Sequence, residues 1–468
     1  MFRPQRRTFK SSRHSLYSKR RSRFPSFWLL LPSAILALVV LEFAAHLVID
    51  VSGKQAELAN YQGEPTLVNA YRLNFLTSDR KPYKGLSNRG NLLAQQSLGM
   101  GYELVGDRDF DYWQINEQGF RDREPLPLAK PPGEYRIFIL GNSTAFGVGN
   151  SSNNATISQQ LEILLNERVQ RQKETPAKYR PDVLSFFLSE REKALALPPK
   201  IANQNYRVIN AAVPGYTSGN HLAQVALKIL PYQPDAIVVV GGYSDLILPS
   251  SETATNIPKI NEFLTNPLGH YGASVKQTLG KWASQTATYR VLNYFILHPE
   301  PSLAQKTLGI LDRQTTLVQH LPQNPDELQR RVDRYRNNYQ QIVKLTAGAG
   351  IPLVVALQPE ITGRNAQAFS ATEKALYENL SSDYPDQIQQ GYAALDRANN
   401  QLKKAYPRNI SIFNFQQLYQ NAENTEDAFT DPIHLTESAN AVLAERLYQG
   451  VTALPQIQVI PQNYELTD

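Results

Sequence analysis

The stretch Tyr135–Gly149, YRIFILGNSTAFGVG, decides how this chain is read. Arg136–Leu140 is a short β-type run that stops abruptly at Gly141, Asn142, Ser143 and Thr144 and then meets more glycine. Gly and Ser suit any strand-to-helix turn, because they relieve backbone constraint and cap helix N-termini. Whether Ser143 is a turn residue or a nucleophile therefore depends on the rest of the sequence.

Working outward, four more β-rich runs occur, at Tyr206–Asn210, Ala236–Val240, Pro352–Leu357 and Ile410–Phe415. Between and after them lie helical patterns near Ile157–Arg171, Ser218–Leu230, Glu327–Ala347, Gln387–Ala405 and Glu437–Gln449. Five apolar strands alternating with amphipathic helices predict an α/β domain, a three-layer α/β/α sandwich on a five-stranded parallel sheet. Ligands in such sheets bind beyond the carboxyl ends of the strands, so the loops after strands are where chemistry is sought. Two long insertions, at about 172–204 and 250–326, interrupt the alternation. Insertions of this length are decoration or a roof over a cleft.

The N-terminal part is a different material. Nine Lys and Arg residues, from Arg3 to Arg23, precede the first acidic residue, Glu42; the formal charge of +6, less those nine, is −3 for the rest. The basic character belongs to a tail, residues 1–26, and nucleic acid is not an expected partner. Residues 27–49, FWLLLPSAILALVVLEFAAHLVI, reach about 34 Å as a helix, enough to cross a hydrocarbon core of ~30 Å. They are expected to be a membrane anchor with the basic tail cytoplasmic and the body outside the cytoplasm. The alternative is a cleaved signal peptide with Leu29–Leu41 as its apolar region, although no convincing A-x-A cleavage site follows. Glu42 and His46 are costly in lipid, but their i,i+4 spacing lets them pair. Residues 50–130 form a polar lead-in ending in the Pro-rich, linker-like REPLPLAKPPGEY, the main domain spans 131–452, and 453–468 is a C-terminal tail. Cysteine is absent, which excludes disulfides, Cys-ligated zinc and thiol catalysis.

Three consecutive strand ends carry unusual loops: GNSTAFG after the first, NAAVPGYTS (Asn210–Ser218) after the second and GGYSDL (Gly241–Leu246) after the third. A fourth block, DPIHLT (Asp431–Thr436), precedes the last helix. In order and placement these blocks resemble the SGNH, or GDSL-type, hydrolase superfamily, over roughly Tyr135–Gly450, and INEQGFRDREPL (Ile115–Leu126) resembles the lead-in of membrane-anchored bacterial members. The resemblance implies a flavodoxin-like sheet and a catalytic triad of Ser143, Asp431 and His434, as nucleophile, orienting acid and base. It further implies an oxyanion hole from the Ser143 and Gly215 backbone N–H groups and the side chain of Ser244. A hydroxyl becomes a competent nucleophile when a base takes its proton and a carboxylate fixes that base's tautomer, and the order Ser, Asp, His is allowed because geometry defines a triad. The other six histidines, His14, His46, His221, His270, His298 and His320, stand in no comparable motif.

The chain departs from the family pattern twice. Asn142 stands where the family has Asp, and Gly242, Tyr243, Ser244 and Asp245 replace Gly-x-Asn-Asp. A Ser hydroxyl is a shorter donor than an Asn amide. GNSTA is not the G-x-S-x-G elbow, and neither the P-loop nor the G-x-G-x-x-G pattern is present. Asp245 and Asp431 have no third ligand at metal-binding spacing, so no metal and no cofactor is expected. The expected activity is ester hydrolysis on an acylated glycan or other ester substrate, with O-acetyl groups of envelope or exopolysaccharide glycans foremost. The alternatives are a polysaccharide O-acetyltransferase using the same triad and a catalytically silent envelope scaffold. Oligomeric state leaves no signature in the sequence.

Overall fold

The computed structural model describes residues 27–463 apart from 60, 62–64, 84–85, 87–89, 258–271, 273–274, 277–278, 281, 298–316 and 421–426. The basic tail, much of the 250–326 insertion and the last five residues of the C-terminal tail lie outside the described residues.

Ten strands are described: β1 (Leu73–Leu76), β2 (Leu92–Ser97), β3 (Gly101–Leu104), β4 (Arg108–Phe110), β5 (Trp113–Ile115), β6 (Glu134–Gly141), β7 (Asn205–Asn210), β8 (Ala236–Gly241), β9 (Leu353–Leu357) and β10 (Ile410–Asn414). The last five form one parallel sheet in the order β10-β9-β8-β6-β7. Numbered within the sheet this is the flavodoxin-like order 2-1-3-4-5, as expected. The strands lack polar/apolar alternation because both faces are covered. Ile137, Ile139, Val238 and Val354 pack under Leu161 and Leu165 of the Ile157–Glu174 helix and Leu443 and Leu447 of the Glu437–Thr452 helix. Phe138, Leu140, Val239 and Val355 point the other way, against Tyr339 and Ile342 of Pro325–Gly348 and Ile388 and Leu395 of Tyr384–Ala405.

The helix after β7 departs from expectation. Regular α geometry covers Ser218–Gln224, and Val225–Ile229 continue as a π turn into a short 3₁₀ turn, Leu230–Tyr232. Pro231 has no N–H to continue the ladder, so the end of the helix is reset.

Residues 50–130 do more than connect. They carry the Thr66–Tyr71 helix, a three-stranded sheet of β1, β2 and β3, and the β4–β5 hairpin. Their apolar side chains, among them Tyr71, Phe75, Tyr102 and Trp113, join the same core cluster as Ile137 and Ile139. The C-terminal tail is likewise paired with the first insertion, through Val183 with Gln462 and Ile201 with Gln458.

The N-terminal helix runs Phe27–Ser52 and ends at Gly53, whose φ of 67° closes it. Its Leu31–Ser52 portion, with a mean hydropathy of 2.3, is long and apolar enough to cross a membrane and is almost entirely unburied by protein.

Candidate active site

The order of the sheet reverses at β6, whose neighbours are β7 and β8, and the crevice outside such a reversal is where open α/β sheets bind ligands. Ser143 follows β6 there as the first residue of the short helix Ser143–Phe146. Asn142 caps that helix, its Oδ1 accepting from Thr144 N–H at 3.1 Å. The other end of the Asn142 side chain crosses the reversal. Its amide donates to Ser244 Oγ at 3.0 Å, after β8, and to Gln358 Oε1 at 2.6 Å, after β9. One side chain thus ties three strand ends together. Because the amide group is a donor only, Ser244 Oγ is the acceptor of this bond and keeps its own proton for another partner.

Asp431 and His434 meet as the D-x-x-H spacing suggests. His434 Nδ1 and Asp431 Oδ2 are 2.6 Å apart, with both side chains buried. Asp431 Oδ1 accepts from the Ile433 and His434 N–H groups, each at 2.9 Å. Burial opposes ionisation of Asp431, but His434 and those two N–H groups outweigh it and hold the carboxyl below its ordinary range. With Nδ1–H donating to the carboxylate, Nε2 is left as the nitrogen with a free lone pair. The loop is braced by Ile361 N–H on Pro432 O at 3.0 Å, and by Glu373, whose carboxylate accepts from Ala428 and Phe429 N–H at 2.8 and 3.1 Å.

What joins this loop to Ser143 is Thr144. Its hydroxyl donates to Ile433 O at 3.0 Å and accepts from Gln358 Nε2 at 2.9 Å, so the residues adjoining Ser143 and His434 are bonded to each other. Ser143 Oγ and His434 Nε2 are both buried and neither has a hydrogen-bond partner among the described residues. Buried polar atoms are seldom left so.

Gly215 lies in the loop after β7 with φ of 85°, a conformation that excludes most side chains, and Val213 N–H on Gly141 O at 3.1 Å holds that loop to the end of β6. Gly242 has φ of 106°, and a Cβ there would stand 2.8 Å from Leu357. Asp245 is turned away from the triad: it accepts from Ser218 N–H at 3.1 Å and Ser218 Oγ at 2.5 Å, and burial raises its pKa against the influence of Arg334.

Three contributors escaped the sequence reading. Gln358 follows β9, and the rule that nominated the other strand ends should have nominated it. His221 is buried beside Gly141 and Gly241, and its pKa is pushed down to about 4 by burial, with the Gly141 backbone opposing. Arg121, from the lead-in, reaches under the turn that begins with Ser143 and donates to Phe146 O at 2.9 Å and Gly147 O at 2.7 Å, the carbonyls at the end of the Ser143–Phe146 helix. It also bonds Tyr112 O, Ser152 O, the Tyr71 hydroxyl and Asn153 Oδ1. A surface groove of about 820 Å³, lined by Gly133, Asn166, Gln170 and Asn205, lies at the amino ends of β6 and β7 and touches none of the triad candidates.

The fold and site define a three-layer α/β/α domain with Ser, His and Asp gathered at the carboxyl edge of its sheet. No protein-family model and no curated protein matches the chain. Solved structures similar to it include a lipase/acylhydrolase from Enterococcus faecalis, at 12% identity over 68% of this chain and 95% of that one, with a TM-score of 0.32. An acetyl xylan esterase, AlAXEase, is similar at 11% identity over 68% and 99%, with a TM-score of 0.30. The psychrotrophic esterase EstA from Pseudoalteromonas sp. is similar at 12% identity over 68% and 96%, also with a TM-score of 0.30.

Proposed function

We propose that this protein is a membrane-anchored, extracytoplasmic serine esterase of the SGNH type that removes O-acyl groups, O-acetyl above all, from envelope or exopolysaccharide glycans. The observation that carries the reading is the Asp431–His434 pair, with a free Nε2, on a loop bonded through Ile433 and Thr144 to the turn that begins with Ser143. In this reading His434 Nε2 takes the proton of Ser143 as Oγ attacks the ester carbonyl, and Asp431 stabilises the imidazolium. The oxyanion is met by the Ser143 and Gly215 N–H groups and by the proton that Ser244 retains. His434 then protonates the leaving alkoxide, and a water activated by the same nitrogen releases the acyl group and restores Ser143.

The test is labelling of the full chain with a fluorophosphonate. Wild type should be labelled and Ser143→Ala should not. Because Ser143 and His434 have no measurable exposure, the covering residues must be displaced before an ester arrives, and labelling is expected to be slow. The same burial is the observation that favours a second reading, a silent scaffold. Absence of labelling in wild type, or equal labelling of Ser143→Ala, refutes the esterase.

A further inference from the structure

The loop that carries Gly215 is a turn with two alternative forms. Tyr216 N–H donates to Val213 O at 3.1 Å and closes a β-turn, Val213–Tyr216, with Pro214 and Gly215 at its centre. Pro at the second position suits type I and type II alike, and the φ of the third residue tells them apart, about −90° in type I and about +80° in type II. The 85° of Gly215 is that of type II. The two types differ by roughly half a rotation of the peptide between the central residues. A change of type therefore exchanges the directions of Pro214 C=O and Gly215 N–H while the rest of the loop stays in place. Glycine accepts either sign of φ, so residue 215 does not itself hold the peptide in one form.

The peptide is held from outside the loop. Tyr102, on β3 of the lead-in sheet, donates its hydroxyl to Pro214 O at 2.8 Å, and no other described group donates there. The Tyr216 hydroxyl donates in return to Tyr102 O, and the two rings meet edge to face at 5.2 Å. Tyr102 is buried and packs edge to face on Phe75 at 5.1 Å. Its surroundings are tied down as well. Asn220, on the helix after the turn, donates to Met100 O at 3.0 Å and to Ala254 O at 2.6 Å, and Ser218 N–H is bonded to Asp245 at 3.1 Å. The frame around the turn is thus fixed, and the peptide 214–215 is the part that has an alternative.

Its orientation matters because of the group at its other end. The C=O and N–H of a trans peptide point in opposite directions, and none of the described peptide bonds is cis. With Pro214 O turned to Tyr102, the Gly215 N–H points away from that hydroxyl. Gly215 is buried, and no described group accepts from its N–H. Donation to the carbonyl also polarises the amide and makes its N–H a stronger donor.

We propose that Tyr102 is a positioning residue for the oxyanion hole: its hydroxyl selects the type II form of the Val213–Tyr216 turn and so aims the Gly215 N–H at the ester oxygen. The proposal rests on the esterase reading, and in it Tyr102 touches no reacting atom. It makes the lead-in sheet, which lies outside the five-stranded domain, the element that sets a donor inside it. Without the hydroxyl, Pro214 O is left as an acceptor with no donor, and the turn loses what favours type II.

The test compares full-length wild type with Tyr102→Phe, which keeps the ring, and with Tyr83→Phe. The second variant strips from the same sheet a hydroxyl that is bonded to Gln96 Oε1 at 2.7 Å. Hydrolysis of 4-nitrophenyl acetate gives kcat and KM, a fluorophosphonate reports the nucleophile, and crystals give the φ of Gly215. Tyr102→Phe should lower kcat about ten- to 100-fold with KM near the wild-type value, because the oxyanion exists only in the transition state. Tyr83→Phe should keep the wild-type kcat. Gly215→Ala, whose Cβ opposes a positive φ, should lose the donor in full, on the order of 100- to 1000-fold, and adding Tyr102→Phe to it should change kcat no further. Crystals of Tyr102→Phe should show the reversed peptide, with a negative φ at Gly215, alone or beside the native form. A wild-type kcat in Tyr102→Phe, or the native turn alone in its crystals, overturns the proposal and leaves the esterase standing. Equal losses in Tyr102→Phe and Tyr83→Phe reduce the hydroxyl to a part of the sheet's stability and overturn it too. Wild type that neither hydrolyses the ester nor takes the label overturns the esterase reading itself.

Discussion

Asn142→Asp introduces the residue that SGNH-type hydrolases, which this sequence resembles, have before their serine, and the structure predicts that it will damage this protein. The wild-type amide gives one proton to Ser244 Oγ at 3.0 Å and one to Gln358 Oε1 at 2.6 Å, while Oδ1 takes the Thr144 N–H. A carboxylate keeps the last bond and reverses the other two. Ser244 turns its proton to the new acceptor and, under the proposed mechanism, is lost to the oxyanion, a loss on the order of 100- to 1000-fold in rate, or about 3–4 kcal/mol of transition-state stabilisation. Gln358 must either leave Oε1 unpaired or rotate and surrender its bond to Thr144 Oγ1, which costs about 1–3 kcal/mol of stability. The assay is kcat/KM on an acetyl ester, beside the urea midpoint. Ser244→Ala should lose activity to a similar extent, and the double variant should be no worse than either single one, because both remove the same donor. Wild-type rates in Asn142→Asp, or losses that multiply in the double variant, would refute the reasoning.

Further outcomes follow from neighbouring groups. Asp431→Asn should lower kcat by about four orders of magnitude with little change in KM, since the amide cannot both accept the Nδ1 proton and keep the Ile433 and His434 N–H bonds; near-normal turnover would exclude the triad. Burial pushes Glu360 up to about 7, against the Thr362 and Tyr384 hydrogen bonds, from 4.5 unfolded. A raised carboxyl gives its stabilising contribution in full below 4.5 and loses it as pH rises through 7, about 3 kcal/mol in all. Glu360→Gln should therefore raise the urea midpoint at pH 8 and leave it nearly unchanged at pH 4. His221, lowered to about 4 by burial, has the opposite sense: its contribution is present above 6.5 and lost as pH falls through 4, so His221→Phe should resist acid unfolding better than wild type. Arg121→Met strips buried carbonyls of their donor and should cost at least about 3 kcal/mol in chemical denaturation, with activity falling even where the variant remains folded.

The strands, their alternation with helices and the strand-end blocks were legible because they are local. An apolar run such as Ala236–Val240 has no other stable place than a sheet buried on both faces, and a three-residue spacing brings Asp431 to His434 through one short loop. The apolar helix at the N-terminus announces itself by length and composition. None of those signals depends on which distant segments touch. Tertiary structure alone decided the rest: that Asn142 spans three strand ends, that Arg121 supports the Ser143 turn from a segment read as a lead-in, that Ser143 and His434 are enclosed, and that Glu42 finds its partners at Ala287 and Thr288. Each of these is a bond between residues far apart in the chain. A polar side chain records that it needs a partner, but the identity of that partner is fixed only when packing brings one within hydrogen-bond reach and removes the water that would otherwise serve.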